Sequence, residues 1–197
     1  MRIRFTAIVL AAALVLAPAA AMAANWTIDK PHSSVNFKIR HLGISIVNGA
    51  FGDFDGELSF DENDLTTGSA KITIMANSVD TENEKRDEHL RSADFFEVEK
   101  YTTITFTSEK MEKKGDGYVL TGKLKIMDVE KPVAIDVEFL GSAETPWGDV
   151  RAGFEGKLTV TREEFGVGWT DIKYRPPLIG NEVEITLNLE TVRQESE

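Results

Sequence analysis

The chain has 197 residues, 42% hydrophobic and 28% charged, with 33 acidic against 22 basic side chains and a formal net charge of −11. This composition is that of a globular protein, and its length suits one domain. The acidic balance argues against a general nucleic-acid binder and against docking on an anionic membrane by overall charge. The absence of cysteine rules out disulfides, zinc ribbons, thiolate catalysis and iron–sulfur clusters.

Residues 1–23 read as a secretory signal peptide. Arg2 and Arg4 precede an apolar run from Phe5 to about Leu16, and Ala21-Met22-Ala23 forms an A-x-A cleavage site before Ala24. The pattern is that of bacterial export, so the expected compartment is the periplasm. The expected mature domain is 24–197, with no transmembrane segment. No cysteine follows the cleavage site, which excludes a lipoprotein.

Beyond this leader, alternation with period two dominates. Ser33–His41 carries Val35, Phe37 and Ile39 in phase. Ala50–Phe60 follows, then Ser69–Ala76 with Ala70, Ile72 and Ile74 on one face. Thr81-x-x-Glu84 reads as a capping box for a helix over Glu84–Leu90. That helix has one apolar residue, Leu90, so it belongs on the surface or over a mouth. Strands resume at Thr102–Ser108, Tyr118–Ile126, Val133–Phe139, Val150–Arg162 and Val183–Leu189, separated by signals such as Gly115-Asp-Gly117 and Thr145-Pro-Trp-Gly148. About eight one-sided strands require a closed barrel or a sandwich, and periodicity does not choose between them. Lys71, Glu138 and Glu184 on the non-core face argue against a barrel that spans a membrane.

Chemistry-bearing constellations are sparse. His32, His41 and His89 lie in separate segments without metal-ligand spacing, so no metal site is expected. There is no G-x-S-x-G and no phosphate-cradling glycine loop before a helix. The informative feature is the aromatic load: eleven Phe and three Trp, gathered at Phe51-Gly-Asp-Phe54, Phe95-Phe96 and Phe165-Gly-Val-Gly-Trp169. Glycines 49, 52, 56, 153, 156, 166 and 168 accompany them and are expected to leave room inside, as suits a long apolar cavity. Arg162 falls in phase with Leu158 and Val160. On an inward face it needs a carboxylate such as Glu164 or an anionic or carbonyl ligand group.

These residues resemble the YceI family of bacterial periplasmic proteins, a polyisoprenoid-binding, lipocalin-like family. The resemblance begins at Trp26-Thr-Ile-Asp29 and His32-Ser33 and continues through Gly49-Ala-Phe51 and Phe54-Asp-Gly56. It is most specific at Ser78-Val-Asp-Thr81, Arg86-Asp-Glu-His-Leu90 and Asp94-Phe-Phe96, and it runs on through Arg162-Glu-Glu-Phe-Gly166 to Glu182-Val-Glu-Ile185. Thr161 stands where the family commonly has Asn, and Met127-Asp128 replaces a glycine turn.

The resemblance implies an all-β fold: a soluble, eight-stranded antiparallel lipocalin-like barrel with one short helix. It also implies a non-enzymatic carrier or storage protein for a long-chain isoprenoid lipid, such as a polyprenyl pyrophosphate or an isoprenoid quinone. No cofactor other than that bound lipid is expected, and the sequence is compatible with a homodimer. Expected wall residues are Phe37, Phe51, Phe54, Phe106, Phe154, Phe165 and Trp169; expected head-group residues are His41, Arg86 and Arg162. The alternatives are an enzyme acting on a lipid or quinone in the same barrel, with His41, Arg162 and Asp87 as its acid/base set, and a filled scaffold that binds only partners.

Overall fold

The structure is a computed structural model that describes residues 23–168 and 178–195; the expected signal peptide lies outside these residues but for Ala23. Eleven strand segments form one antiparallel sheet: β1 (Ala24–Ile28), β2 (Ser34–His41), β3 (Ser45–Phe51), β4 (Phe54–Asp61), β5 (Asp64–Met75), β6 (Val79–Asp80), β7 (Thr103–Lys114), β8 (Gly117–Ile126), β9 (Val129–Glu144), β10 (Val150–Thr161) and β11 (Ile179–Arg193). The helix α1 spans Glu84–Arg91.

The ring runs β1-β4-β5-β7-β8-β9-β10-β11, and β1 pairs with β11 to close it into an eight-stranded barrel. This settles the choice between barrel and sandwich. β11 carries the closure: Thr191–Arg193 pairs with β1, Val183–Asn188 with β2, and its other edge with β10. β2, β3 and β6 prolong the walls begun by β1, β4 and β5. The expected strand over Ala50–Phe60 is therefore the end of β3 and most of β4, broken at Gly52-Asp53, and β1, β6 and the first part of β3 are new to the expected set.

Inward positions are apolar and outward ones charged, as the alternation requires. Lys71, Lys123, Lys125 and Glu138 are exposed on the outer face. A tight aromatic cluster closes one end. Trp26, 1% exposed, stacks on Phe60 at 4.4 Å, and the Phe154 ring meets Phe60 edge-on at 5.1 Å. Such paired rings add about 0.5–1.5 kcal/mol each beyond the area they bury.

At the corner between β1 and β2, Arg151 of β10 gathers three carboxylates: Asp29, Glu190 of β11 and Asp149. His32 Nδ1 also meets Asp29, at 2.9 Å. Asp29, His32 and Glu190 are close enough together to surround a cation, but the Arg151 guanidinium already supplies that charge. Asp29 is held below the usual carboxylate value of 3.8, first by its hydrogen bond to His32 and then by Arg151. Asp149 is lowered as well, first by the Thr145 hydroxyl and then by Arg151.

Carboxylates with depressed pKa values contribute stability above their unfolded values and lose it as pH falls through the folded ones. Arg151→Met is therefore expected to lower the denaturation midpoint at neutral pH. Its difference from the parent should shrink steadily below about pH 4, as read from urea titrations at stepped pH. An undiminished difference in acid would show that packing, not the ion cluster, accounts for the role of Arg151.

Candidate functional site

The barrel is not filled. A cavity of about 500 Å³ runs along its inside and is lined almost wholly by apolar side chains. On β11 the lining runs from Ile179 through Val183, Ile185 and Leu187 to Leu189. Ten residues of tilted strand span roughly 25 Å along the axis. A long, narrow apolar cavity of this kind suits a hydrocarbon chain. At the closed end the lining is Phe60, Leu65 and Phe154, all buried. At the other it is Arg40, His41, Arg86 and His89, all exposed, and this end is the mouth.

Glycines hold the aromatic walls back. A Cβ on Gly49 of β3 would lie 2.3 Å from the Phe37 ring, and one on Gly122 of β8 would lie 2.7 Å from the Phe106 ring. Both rings lie over a glycine on the neighbouring strand. The sequence reading had glycines leaving space at their own positions. Instead, the ring occupies the space over the glycine, and the axis stays clear.

α1 lies beside the mouth, with Arg86, His89 and Leu90 among the cavity-lining residues. Its N-cap is Asn83, whose side chain accepts from the Arg86 N–H at 3.1 Å. This corrects the expected capping box at Thr81. Thr81 serves Asp87 instead, donating from its backbone N–H at 2.9 Å and from its hydroxyl at 2.5 Å. Arg86 Nε donates to the Thr81 hydroxyl at 2.7 Å and Nη2 to the Thr81 carbonyl at 2.8 Å. Nη1 of Arg86 has no partner among the described residues. At the other end of the helix, Arg91 donates to the carbonyls of Asn77 and Val79, which fastens α1 to the β6 edge.

Of the sequence-predicted residues, Phe37, His41, Phe51, Arg86, Phe106, Phe154 and Arg162 line the cavity. Phe54 and Phe165 do not; both are buried in the surrounding core. Trp169 lies outside the described residues. β10 ends at Thr161, so Arg162 opens a 3₁₀ turn over Arg162–Phe165. It is 6% exposed, and it donates to the carbonyls of Gly180 and Val167, each at 2.9 Å. Burial lowers its pKa, and Glu163 at 3.8 Å opposes that shift. Glu164, the partner suggested by the sequence, pairs with Lys131 at 3.1 Å instead. Asp87 and Arg162 of the alternative acid/base set are thus engaged with Thr81 and with backbone carbonyls. Lining residues missed by the sequence reading include Leu65, Met111 and Leu178, which carry no aromatic or charged signal.

Two substitutions separate wall from frame. Gly49→Ala is expected to push the Phe37 ring into the bore, cutting the affinity for a fluorescent apolar probe severalfold while the fold is kept. Arg162→Gln strands buried carbonyls and is expected to cost about 1–3 kcal/mol in a denaturant titration, with probe affinity kept in the folded variant.

The YceI-like domain family model matches residues 26–191. A UPF0312 protein of Pseudomonas aeruginosa is 44% identical over 176 residues, covering 88% of this chain and 90% of the relative. Burkholderia cenocepacia BcnA superposes with a TM-score of 0.74 at 26% identity, covering 83% of this chain and 98% of that one. The polyisoprenoid binding domain from Saccharophagus degradans implicated in plant cell wall breakdown shares the fold, with a TM-score of 0.65 at 16% identity and coverage of 86% and 98%. The barrel, its helix and the match along nearly all the described residues place this chain in the YceI-like family.

Proposed function

We propose that this protein is a periplasmic carrier that encloses an isoprenoid chain in its bore, with the head group at the Arg86 mouth. The observation that carries the reading is the bore itself: long, apolar, closed at one end and lined by Arg40, His41, Arg86 and His89 at the other. The name of the Saccharophagus degradans domain, a polyisoprenoid binding domain on the same fold, supports the same reading. Cleavage before Ala24 and export are part of it. Among the described residues, no helix is long and apolar enough to cross a membrane.

Burial drives binding. Each CH₂-sized group moved from water into the bore contributes roughly 0.8 kcal/mol. The bore holds as much of a chain as its own length admits. A longer chain leaves its remainder outside. Affinity is therefore expected to rise steeply with prenyl length up to that point and then level off, as read by calorimetry on a series of prenyl quinones.

Arg86 supplies head-group recognition. Thr81 fixes two of its nitrogens and leaves Nη1 for a ligand oxygen. A guanidinium held in this way can donate to a quinone carbonyl or to a pyrophosphate. Arg86→Leu is expected to weaken binding by about 1.5–3 kcal/mol, with a larger loss for a pyrophosphate than for a quinone of equal chain length. Equal affinities before and after substitution would remove Arg86 from recognition.

The carrier reading itself is tested by organic extraction of the purified exported protein, followed by mass spectrometry. An intact isoprenoid lipid is the expected result, together with a mature N-terminus at Ala24. A straight-chain lipid would redirect the ligand class, and a reproducibly empty extract would overturn the carrier.

A further inference from the structure

The mouth is bordered by a hairpin that the lipid-binding reading does not use. β2 and β3 are joined by Leu42-Gly43-Ile44, with Leu42 and Gly43 both in the left-handed region at φ 53° and 72°. The two flanking segments reach the cavity: Arg40 and His41 line it on one side and Val47 on the other. Between them, Ile44 is 84% exposed and Ile46 is 51% exposed. A large aliphatic side chain left in water at the rim of an apolar bore calls for an apolar occupant.

Charge at this place runs opposite to that of the whole chain. Residues 30–52 contain no Asp or Glu, although the protein holds 33 of them, and they contain Lys30, Lys38 and Arg40. Arg40 lies directly across the ladder from Ile46, is exposed and makes no ion pair among the described residues. Lys38 is paired at 2.8 Å with Glu184 of β11. Among the described residues, the other exposed large apolar side chains are Leu140 on β9 and Trp147 in the β9–β10 turn, which lies between Glu144 and Asp149 and lacks this complementarity.

Resting on the carrier reading, we infer that the Leu42–Ile46 tip is a bilayer-docking lip, which inserts Ile44 and Ile46 among acyl chains while Arg40 meets an anionic phospholipid head group. Apolar side chains beside a basic one at the water–lipid boundary are the interfacial arrangement that binds such a surface. Two isoleucines give only transient attachment, which suits a carrier that must leave again. The site joins bilayer and bore directly, so an isoprenoid chain can pass from one to the other with little exposure to water.

The test uses the purified chain, its Ile44→Asp/Ile46→Asp variant and vesicles of phosphatidylethanolamine and phosphatidylglycerol. Both side chains are exposed, so the variant is expected to keep its thermal midpoint. Two measurements are made: flotation with empty vesicles, and the rate at which a fluorescent farnesyl quinone moves from loaded vesicles into the protein. Affinity for the same quinone presented in detergent is the control. The expected result is loss of flotation and at least a tenfold slower uptake in the variant, with detergent affinity unchanged. Equal flotation of variant and parent would overturn the lip, whatever the quinone does. Parental flotation abolished in the variant, with no quinone bound by either protein, would keep the lip and overturn the carrier. A parent that sediments as a dimer, a variant that sediments as a monomer and unchanged uptake would assign the tip to self-association and overturn the inference.

Discussion

A barrel of eight strands with an apolar inner face from end to end must either fill that interior with its own side chains or enclose something else. Here the wall rings are turned aside. Phe37 lies over Gly49 and Phe106 over Gly122, so bulky side chains thicken the wall instead of blocking the axis. At the Trp26–Phe60–Phe154 end the rings pack on one another across the barrel and close it. The contrast between thin packing along the axis and dense packing at the floor gives the bore its direction. The floor supplies much of the aromatic stabilisation, and the remaining length is free for a ligand.

Three arginines on the same frame do different work. Arg151 joins the β1–β2 corner to β10 and β11 through carboxylates, where partial burial makes charge pairing effective. Arg162 is buried and spent on carbonyls that strand ladders leave open at the mouth. Among the described residues, the Arg86 guanidinium is held by Thr81 alone, with one nitrogen to spare. Ion pairs between strands such as Lys114–Asp136 and Lys123–Glu109 are exposed contacts of the kind that contribute little. Position in the fold, more than residue type, decides what each cation does.

Much of the architecture was legible because alternation is unambiguous where one face is wet. β8, β9 and β11 read cleanly for that reason. β1 was hidden because only Trp26 and Ile28 mark its inner face, and the β2–β3 turn because Ile44 and Ile46 are apolar yet point away from the core. The site was legible in part. Phase places Phe37, Phe51 and Phe106 inward, but it cannot tell a ring at the bore from one packed behind it, which is why Phe54 and Phe165 fell on the wrong side of that line. The inward phase of Arg162 was also readable. Its partners were not, because they are backbone carbonyls contributed by segments distant in sequence or turned by a 3₁₀ bend. The helix cap was misassigned between two good capping residues because Asp87, six positions on, claims Thr81.

The triple pairing of β11 also fixes the order of assembly. The first strand, the second and the tenth all wait for the same final segment, Ile179–Arg193. Until that segment is available, the strands nearest the start of the domain have no partner along one edge, and the barrel cannot close. Such topologies fold slowly, because loop closure comes before the contacts that repay it. A nascent chain would therefore stay open through most of its synthesis and close in a late step, when its two ends meet.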